Sequence, residues 1–232
     1  METSSILSST LKDLARALSG NLSGTQLESI KDTIRRFAIY SAVANAVGGA
    51  IPGGVAVVAT LVQVGLVAAT FSQICRILNI SIEKNMVKVM AVAFATGLVA
   101  NASTVLMYYA ASAVISFIPI LGSALAATAN AAIGYIYIYV AAIVFLKLIT
   151  KFAQPDGNIN IPNQEEAQRV IKEIMSKTDL ESIIKEGSAS YKQAKNAGEI
   201  EKAMKDPRCP SCGAKISAGQ KFCSNCGCAL SE

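Results

Sequence analysis

The chain contains no histidine. That absence removes the commonest general base and the usual Ser–His and Cys–His nucleophile pairs. Charge is scarce as well. Asp, Glu, Lys and Arg make up 16% of the residues, where ordinary soluble domains have roughly a quarter. The scarcity is local rather than even. No charged side chain occurs from Phe37 to Cys75, and none from Val89 to Leu146. Tracts of that length need a lipid phase or a very large partner core to leave water.

Other absences narrow the chemistry further. There is no Gly-x-x-x-x-Gly-Lys-[Ser/Thr] phosphate loop, since Gly20-Asn-Leu-Ser-Gly24 lacks the lysine, and no dinucleotide fingerprint follows a strand. Between Phe37 and Leu146 the sole carboxylate is Glu83, in a link. The first 36 residues have no apolar run of signal-peptide type; Glu2, Asp13 and Glu28 mix there with Lys12, Arg16 and Arg36. The net charge of +5 divides as +1, +2, 0 and +2 over residues 1–36, 37–146, 147–206 and 207–232. No segment is a polyanion magnet, so nucleic-acid binding has no support in the composition.

What is present is mainly helical. Ile6, Leu7, Leu11, Leu14 and Leu18 fall on one face of an amphipathic helix over residues 4–19. Thr25 with Glu28 matches a capping box for a second helix, apolar after Arg36 and running to about Val47. Glycines around Pro52, from Gly48 to Gly54, then turn the chain. Further helices are expected over Val55–Leu78, about Lys84–Phe117 and about Ser123–Phe152, the last two separated by a turn at Pro119 and Gly122. Ile51-Pro52-x-Gly54 and Ile118-Pro119-x-x-Gly122 look alike and suggest a duplicated hairpin.

Asn45, Gln63, Asn101 and Asn130 are isolated polar side chains within these helices. They are expected either to hydrogen-bond between helices as packing glue or to line a conducting path. Tyr135, Tyr137 and Tyr139 sit in mid-helix, where their hydroxyls need partners; that favours a protein-packed or partly immersed bundle. Turn formers from Gln154 to Pro162 mark a linker. Asn163 with Glu166 caps an amphipathic helix, and Thr178 with Glu181 suggests a restart. Gly187 to Pro207 is polar and helix-prone and reads as mobile.

Chemistry is concentrated at the C-terminus. Five of six cysteines lie in the last 24 residues. Cys209-Pro-Ser-Cys212-Gly and Cys223-Ser-Asn-Cys226-Gly form two knuckles, with ten residues between Cys212 and Cys223. Each Cys-x-x-Cys turn presents two sulfurs, and four thiolates fit tetrahedral zinc. Gly213 and Gly227 allow the positive-φ turn that aims backbone N–H groups at sulfur. Four cysteines close the coordination shell, which speaks for structural rather than catalytic zinc. A redox dithiol is the alternative, but one Cys-x-x-Cys would suffice for it. Lys215 and Lys221 are expected to ease the excess negative charge, and Cys228 is a spare thiol. A clustered thiolate site argues for a reducing compartment, so the sequons at Asn21, Asn79 and Asn101 are read as chance matches.

Two stretches carry family resemblances. CPSCGAKISAGQKFCSNCGCAL, residues 209–230, closely resembles the small zinc-ribbon domains appended to many prokaryotic membrane and regulatory proteins. That resemblance implies Cys209, Cys212, Cys223 and Cys226 as ligands of one structural Zn²⁺ per chain; Cys228 departs from the usual small residue. Residues 37–150, through IPGGVAVVATLVQVGLV and FIPILGSALAATANAAIGY, are similar to an uncharacterised hydrophobic helical domain that follows GTPase domains in some bacterial proteins. This implies membrane or GTPase association and no activity.

The expected architecture is therefore mainly α: apolar helical hairpins of about four long helices with a small C-terminal zinc ribbon. Residues 1–36 form amphipathic N-terminal helices and 37–152 the apolar membrane-associated domain. Residues 153–207 form a linker with a soluble helix, and 208–232 the ribbon. The expected function is a non-enzymatic protein of the cell membrane, with the ribbon and N-terminus on the cytoplasmic side. Its expected partners are membrane lipid, further copies of itself and a protein held by the ribbon. Alternatives are a soluble or amphitropic helical scaffold or GTPase partner, and a pore-forming effector.

Overall fold

The structure is a computed structural model. It describes residues 5–48 except 19 and 21, 55–115, and 123–230 except 155, 157, 162, 218, 219, 221 and 229. The glycine–proline turns around Pro52 and Pro119, and the likeness between them, fall on residues 49–54 and 116–122, outside those described. Eight helices are found among the described residues: α1 (Ile6–Ala17), α2 (Gly24–Gly48), α3 (Val55–Ile77), α4 (Lys84–Ile115), α5 (Ser123–Phe152), α6 (Gln164–Lys177), α7 (Leu180–Asn196) and α8 (Glu199–Lys205). The four long helices are α2 to α5. No strand occurs among these residues; Ala153 and Ile159, and Arg208 and Lys215, form isolated bridges.

Local signals set most helix ends. Asn163 caps α6 by accepting the Glu166 N–H at 2.8 Å, as the sequence pattern predicts. Two caps differ from expectation. At α2 the reciprocal pair is Ser23 and Gln26, not Thr25 and Glu28. Ser23 Oγ accepts the Gln26 N–H at 3.1 Å, and Gln26 Oε1 accepts the Ser23 N–H at 2.9 Å. Both registers satisfy the capping-box pattern. The upstream one has a tertiary advantage, because Gln26 Nε2 also donates to Ile77 O, at the end of α3. At α7 the cap is Asp179, which accepts the Ser182 N–H at 3.0 Å, rather than Thr178.

Helices α2 and α3 run antiparallel, as the Gln26–Ile77 and Ser41–Gln63 contacts show. Helix α5 lies at the centre and touches α1, α2, α3, α4, α6 and α7. From Tyr135 to Leu146 every side chain on it is buried. Phe71 of α3 stacks on Phe145 with ring centres 4.1 Å apart, and Phe94 of α4 meets Tyr137 edge-on at 5.3 Å.

The Tyr135 and Tyr139 hydroxyls find protein partners. Tyr135 Oη lies 2.9 Å from Ser190 Oγ, and Tyr139 donates to Glu186 Oε1 at 2.6 Å. Glu186 also accepts the Ile6 and Leu7 N–H groups at 2.6 and 3.3 Å. One carboxylate of α7 therefore holds α5 and the positive end of α1 together. The segment after Gly187, expected to be mobile, packs instead: Gly187, Ser188, Tyr191, Ala194 and Ile200 are buried. Its polar composition misleads because the apolar positions recur at helical spacing on one face.

Among the described residues two stretches are long and apolar enough to cross a membrane, Lys84–Ala102 and Thr128–Phe152. They differ in surroundings. Of the second, 89% is buried inside the protein, and of the first 53%. The expectation that the second charge-free tract needs cover from outside the chain is thus corrected for residues 128–146 of α5. Here the other helices supply that cover.

Small residues let the helices approach closely. A Cβ added at Gly134 of α5 would sit 2.6 Å from both Ser41 O and Asn45 Nδ2 of α2. One at Gly65 would meet nothing within 4 Å. We expect Gly134→Ala to cost about 1–3 kcal/mol in chemical unfolding, and Gly65→Ala to be neutral or stabilising by up to about 1 kcal/mol. Equal effects at the two sites would contradict the α2–α5 packing. Glu186→Ala should cost about 2–3 kcal/mol through its lost charged hydrogen bonds and should free α1 to limited proteolysis; an unchanged cleavage pattern would show that Glu186 does not hold that helix.

Candidate metal centre

Each knuckle is built by the same backbone bonds. Cys209 N–H donates to Ala214 O and Gly213 N–H to Cys209 O, both at 2.8 Å. In the second knuckle Cys223 N–H donates to Cys228 O and Gly227 N–H to Cys223 O, again at 2.8 Å. Gly213 and Gly227 adopt φ of +75° and +70°, a region that strains any side chain with a Cβ. The repeat places Cys228 in the position of Ala214. Its backbone carbonyl is the part the knuckle uses, so a cysteine there does not disturb the turn.

The four sulfurs of Cys209, Cys212, Cys223 and Cys226 lie within 4.8 Å of one another. Cys209 and Cys226 approach to 3.6 Å across the knuckles, and so do Cys212 and Cys223. These separations are far beyond a disulfide bond of about 2.05 Å. They match the edge of a tetrahedron with Zn–S bonds of about 2.3 Å, which is about 3.8 Å. The donor set therefore fits zinc.

Electrostatics around the sulfurs are uneven. Backbone N–H of Ala214 and then the Asn225 amide, 3.5 Å away, hold the Cys212 thiol below its usual range. Burial pushes the Cys209 thiol the other way, against backbone N–H bonds from Cys212 and Ser211. A bound dication reverses that burial cost, since thiolates coordinating zinc are deprotonated outright. Lys215 Nζ lies 3.5 Å from Asp206 Oδ1, so its charge is shared with that carboxylate. Lys221 is outside the described residues. Asn225 was not singled out by sequence reasoning, although an amide between two ligand cysteines is the signal that marks it.

The ribbon is docked on the helices. Tyr40 of α2 donates to Leu230 O at 3.2 Å, and Ser211 Oγ donates to Gln73 Oε1 of α3 at 3.1 Å. Cys209, Ile216, Cys223 and Leu230 form the ribbon's small buried cluster, with Tyr40 packed against it.

The four polar helix residues lie elsewhere and do not form one site. Asn45 Nδ2 donates to Ser41 O at 2.7 Å, in its own helix and beside Gly134. The Ser41 hydroxyl bridges Gln63 Oε1 at 3.1 Å and Gly134 O at 2.9 Å, joining α2, α3 and α5. Gln63 is buried, and its Nε2 has no hydrogen-bond partner among the described residues. Asn101 is exposed and donates to Gly97 O of its own helix at 2.7 Å. Asn130 is half-buried on α5.

Replacing all four ligand cysteines by serine should abolish zinc in metal analysis, from an expected one ion per chain. Asn225→Ala should weaken zinc binding about 10-fold in competition with a chelator. Zinc retained by the quadruple variant would refute the ligand set. Comparison with known families matches residues 208–230 to the zinc-ribbon domain. Comparison with curated proteins and with solved structures returns no significant match. The chain therefore carries a zinc-ribbon domain at residues 208–230, joined to a helical bundle with eight helices among the described residues.

Proposed function

We propose that the protein is a non-enzymatic, membrane-associated helical protein whose zinc ribbon serves as a binding module on the cytosolic side. The observation that carries this is the division of charge. The tracts Phe37–Cys75 and Val89–Leu146 carry no charged side chain, whereas α1, α6, α7, α8 and the ribbon carry most of the charge. A molecule divided in this way suits an interface between water and lipid. Because residues 128–152 of α5 are covered by their neighbours, lipid contact falls to the less buried stretch Lys84–Ala102 of α4. The ribbon's four cysteines close the zinc shell, so its role is to fix a rigid surface. Zinc, when bound, supplies the energy that folds so short a segment.

A second reading is favoured by one specific observation. Residues 128–152 of the most apolar helix are 89% buried, and Tyr135 and Tyr139 bond to Ser190 and Glu186 of a charged helix. That suits an amphitropic or soluble scaffold, assembling with itself or with a GTPase, as the resemblance of residues 37–150 suggests.

Fractionation separates the two. Under the first reading the protein sediments with membranes, resists high salt and is released by detergent. It also floats with liposomes without leaking their contents, as a pore-former would. A monodisperse, lipid-free monomer in plain buffer would remove the membrane reading.

A further inference from the structure

The ribbon does more than lie against the bundle, because it completes a cavity. Between α2, α8 and the first zinc knuckle is a slot of about 330 Å³. Its walls include Ile39, Tyr40, Val43, Ala203, Pro207 and Pro210, and they are predominantly apolar. None of these three elements forms it alone. Arg36, Lys202 and Arg208 lie at its border with the carboxylates of Glu199 and Asp206.

The charges at the border are not balanced. Glu199 is taken by Arg35, which donates to it through Nε at 2.9 Å. Asp206 is taken by Arg208 at 2.7 Å and by Lys215 at 3.5 Å. Arg36 and Lys202 are exposed, and neither has a carboxylate within ion-pair distance among the described residues. Arg36 also donates to Thr33 Oγ1 at 3.5 Å, which leaves its charge uncompensated, so the slot is an apolar recess flanked by two cations without a carboxylate partner among the described residues.

We propose that this slot binds a peptide segment of a partner protein in which an apolar side chain stands beside a carboxylate. The apolar side chain enters between Val43, Ala203 and Pro210. The carboxylate is held by Arg36 and Lys202. Size favours this occupant over a lipid. The volume lies at the low end of ligand pockets, roughly 300–1,000 Å³, and suits one or two side chains rather than the paired acyl chains of a phospholipid. Charge complementarity sets the acidic requirement. The site deepens the binding-module role proposed above and rests on it. It also gives the zinc a purpose beyond the ribbon, since Pro207, Cys209, Pro210 and Gly213 form one wall.

The test uses the full-length, zinc-loaded protein on an array of random heptapeptides, with affinity of the strongest binder measured by fluorescence anisotropy. Binders should place Leu, Ile, Val or Phe within two residues of Asp or Glu. Arg36→Glu and Lys202→Glu should each weaken that peptide at least about 10-fold, and Ala203→Phe, which fills the slot, should abolish binding. Lys177→Glu, away from the slot on α6, should leave it unchanged. Zinc content and circular dichroism verify that each variant is folded; if Ala203→Phe is not, the two charge reversals at exposed positions decide. Binders without the acidic–apolar pairing, or affinities indifferent to these substitutions, would overturn the proposal. So would dodecanoate or anionic vesicles binding at the slot where peptides do not. A protein that keeps its zinc and floats with liposomes yet shows no such peptide preference refutes the site alone. One that binds these peptides but stays off membranes refutes the membrane reading alone.

Discussion

Helix α5 has no charged side chain before Lys147, and removing its stretch from Tyr135 to Leu146 from water is the constraint around which the other helices are arranged. Six helices share the task. A helix apolar on all sides is either a membrane span or the core of a bundle, and here protein surrounds it. Burial on every side demands that its few polar groups find partners. Tyr135 and Tyr139 find them on α7, and the Gly134 carbonyl receives Ser41 from α2. Glycine makes the approach possible, at Gly134 against α2 and at Gly187, where an added Cβ would come within 3.2 Å of Tyr139.

The zinc ribbon meets a different problem. Its buried cluster is small, comprising Cys209, Ile216, Cys223 and Leu230. A core of that size does not hold a fold without a metal or another staple. Two identical knuckles, each closed by a glycine at positive φ, bring the four sulfurs to distances suited to zinc. The ribbon then leans on the bundle through Tyr40 and Gln73. Metal binding, ribbon folding and the shape of the slot between ribbon and bundle are thereby linked.

Charge reinforces the arrangement. Contacts such as Arg35–Glu199 and Lys151–Glu173 tie α8 to the middle of α2 and α6 to the end of α5. Each exposed pair is worth about 0–1 kcal/mol, so their role is to set orientation rather than to supply stability. Glu186 is the stronger device, because its carboxylate meets two amides at a helix start and a tyrosine hydroxyl at once.

The amino-acid sequence determined those features that depend on near neighbours. Helix extents follow from periodicity, glycine and proline, and α3, α4 and α5 begin where the pattern places them. The zinc ligands follow from spacing, because a Cys-x-x-Cys-Gly turn fixes its two sulfurs without help from the rest of the fold. Tertiary structure decided the matters that need a distant partner. Ser23 rather than Thr25 caps α2 because Gln26 reaches α3. Asn101 is exposed and bonds its own helix, while the buried Gln63 meets Ser41. Above all, hydropathy states that α5 must leave water but not what replaces the water, since lipid and packed side chains satisfy the same apolar surface. Only the placement of the surrounding helices distinguishes them.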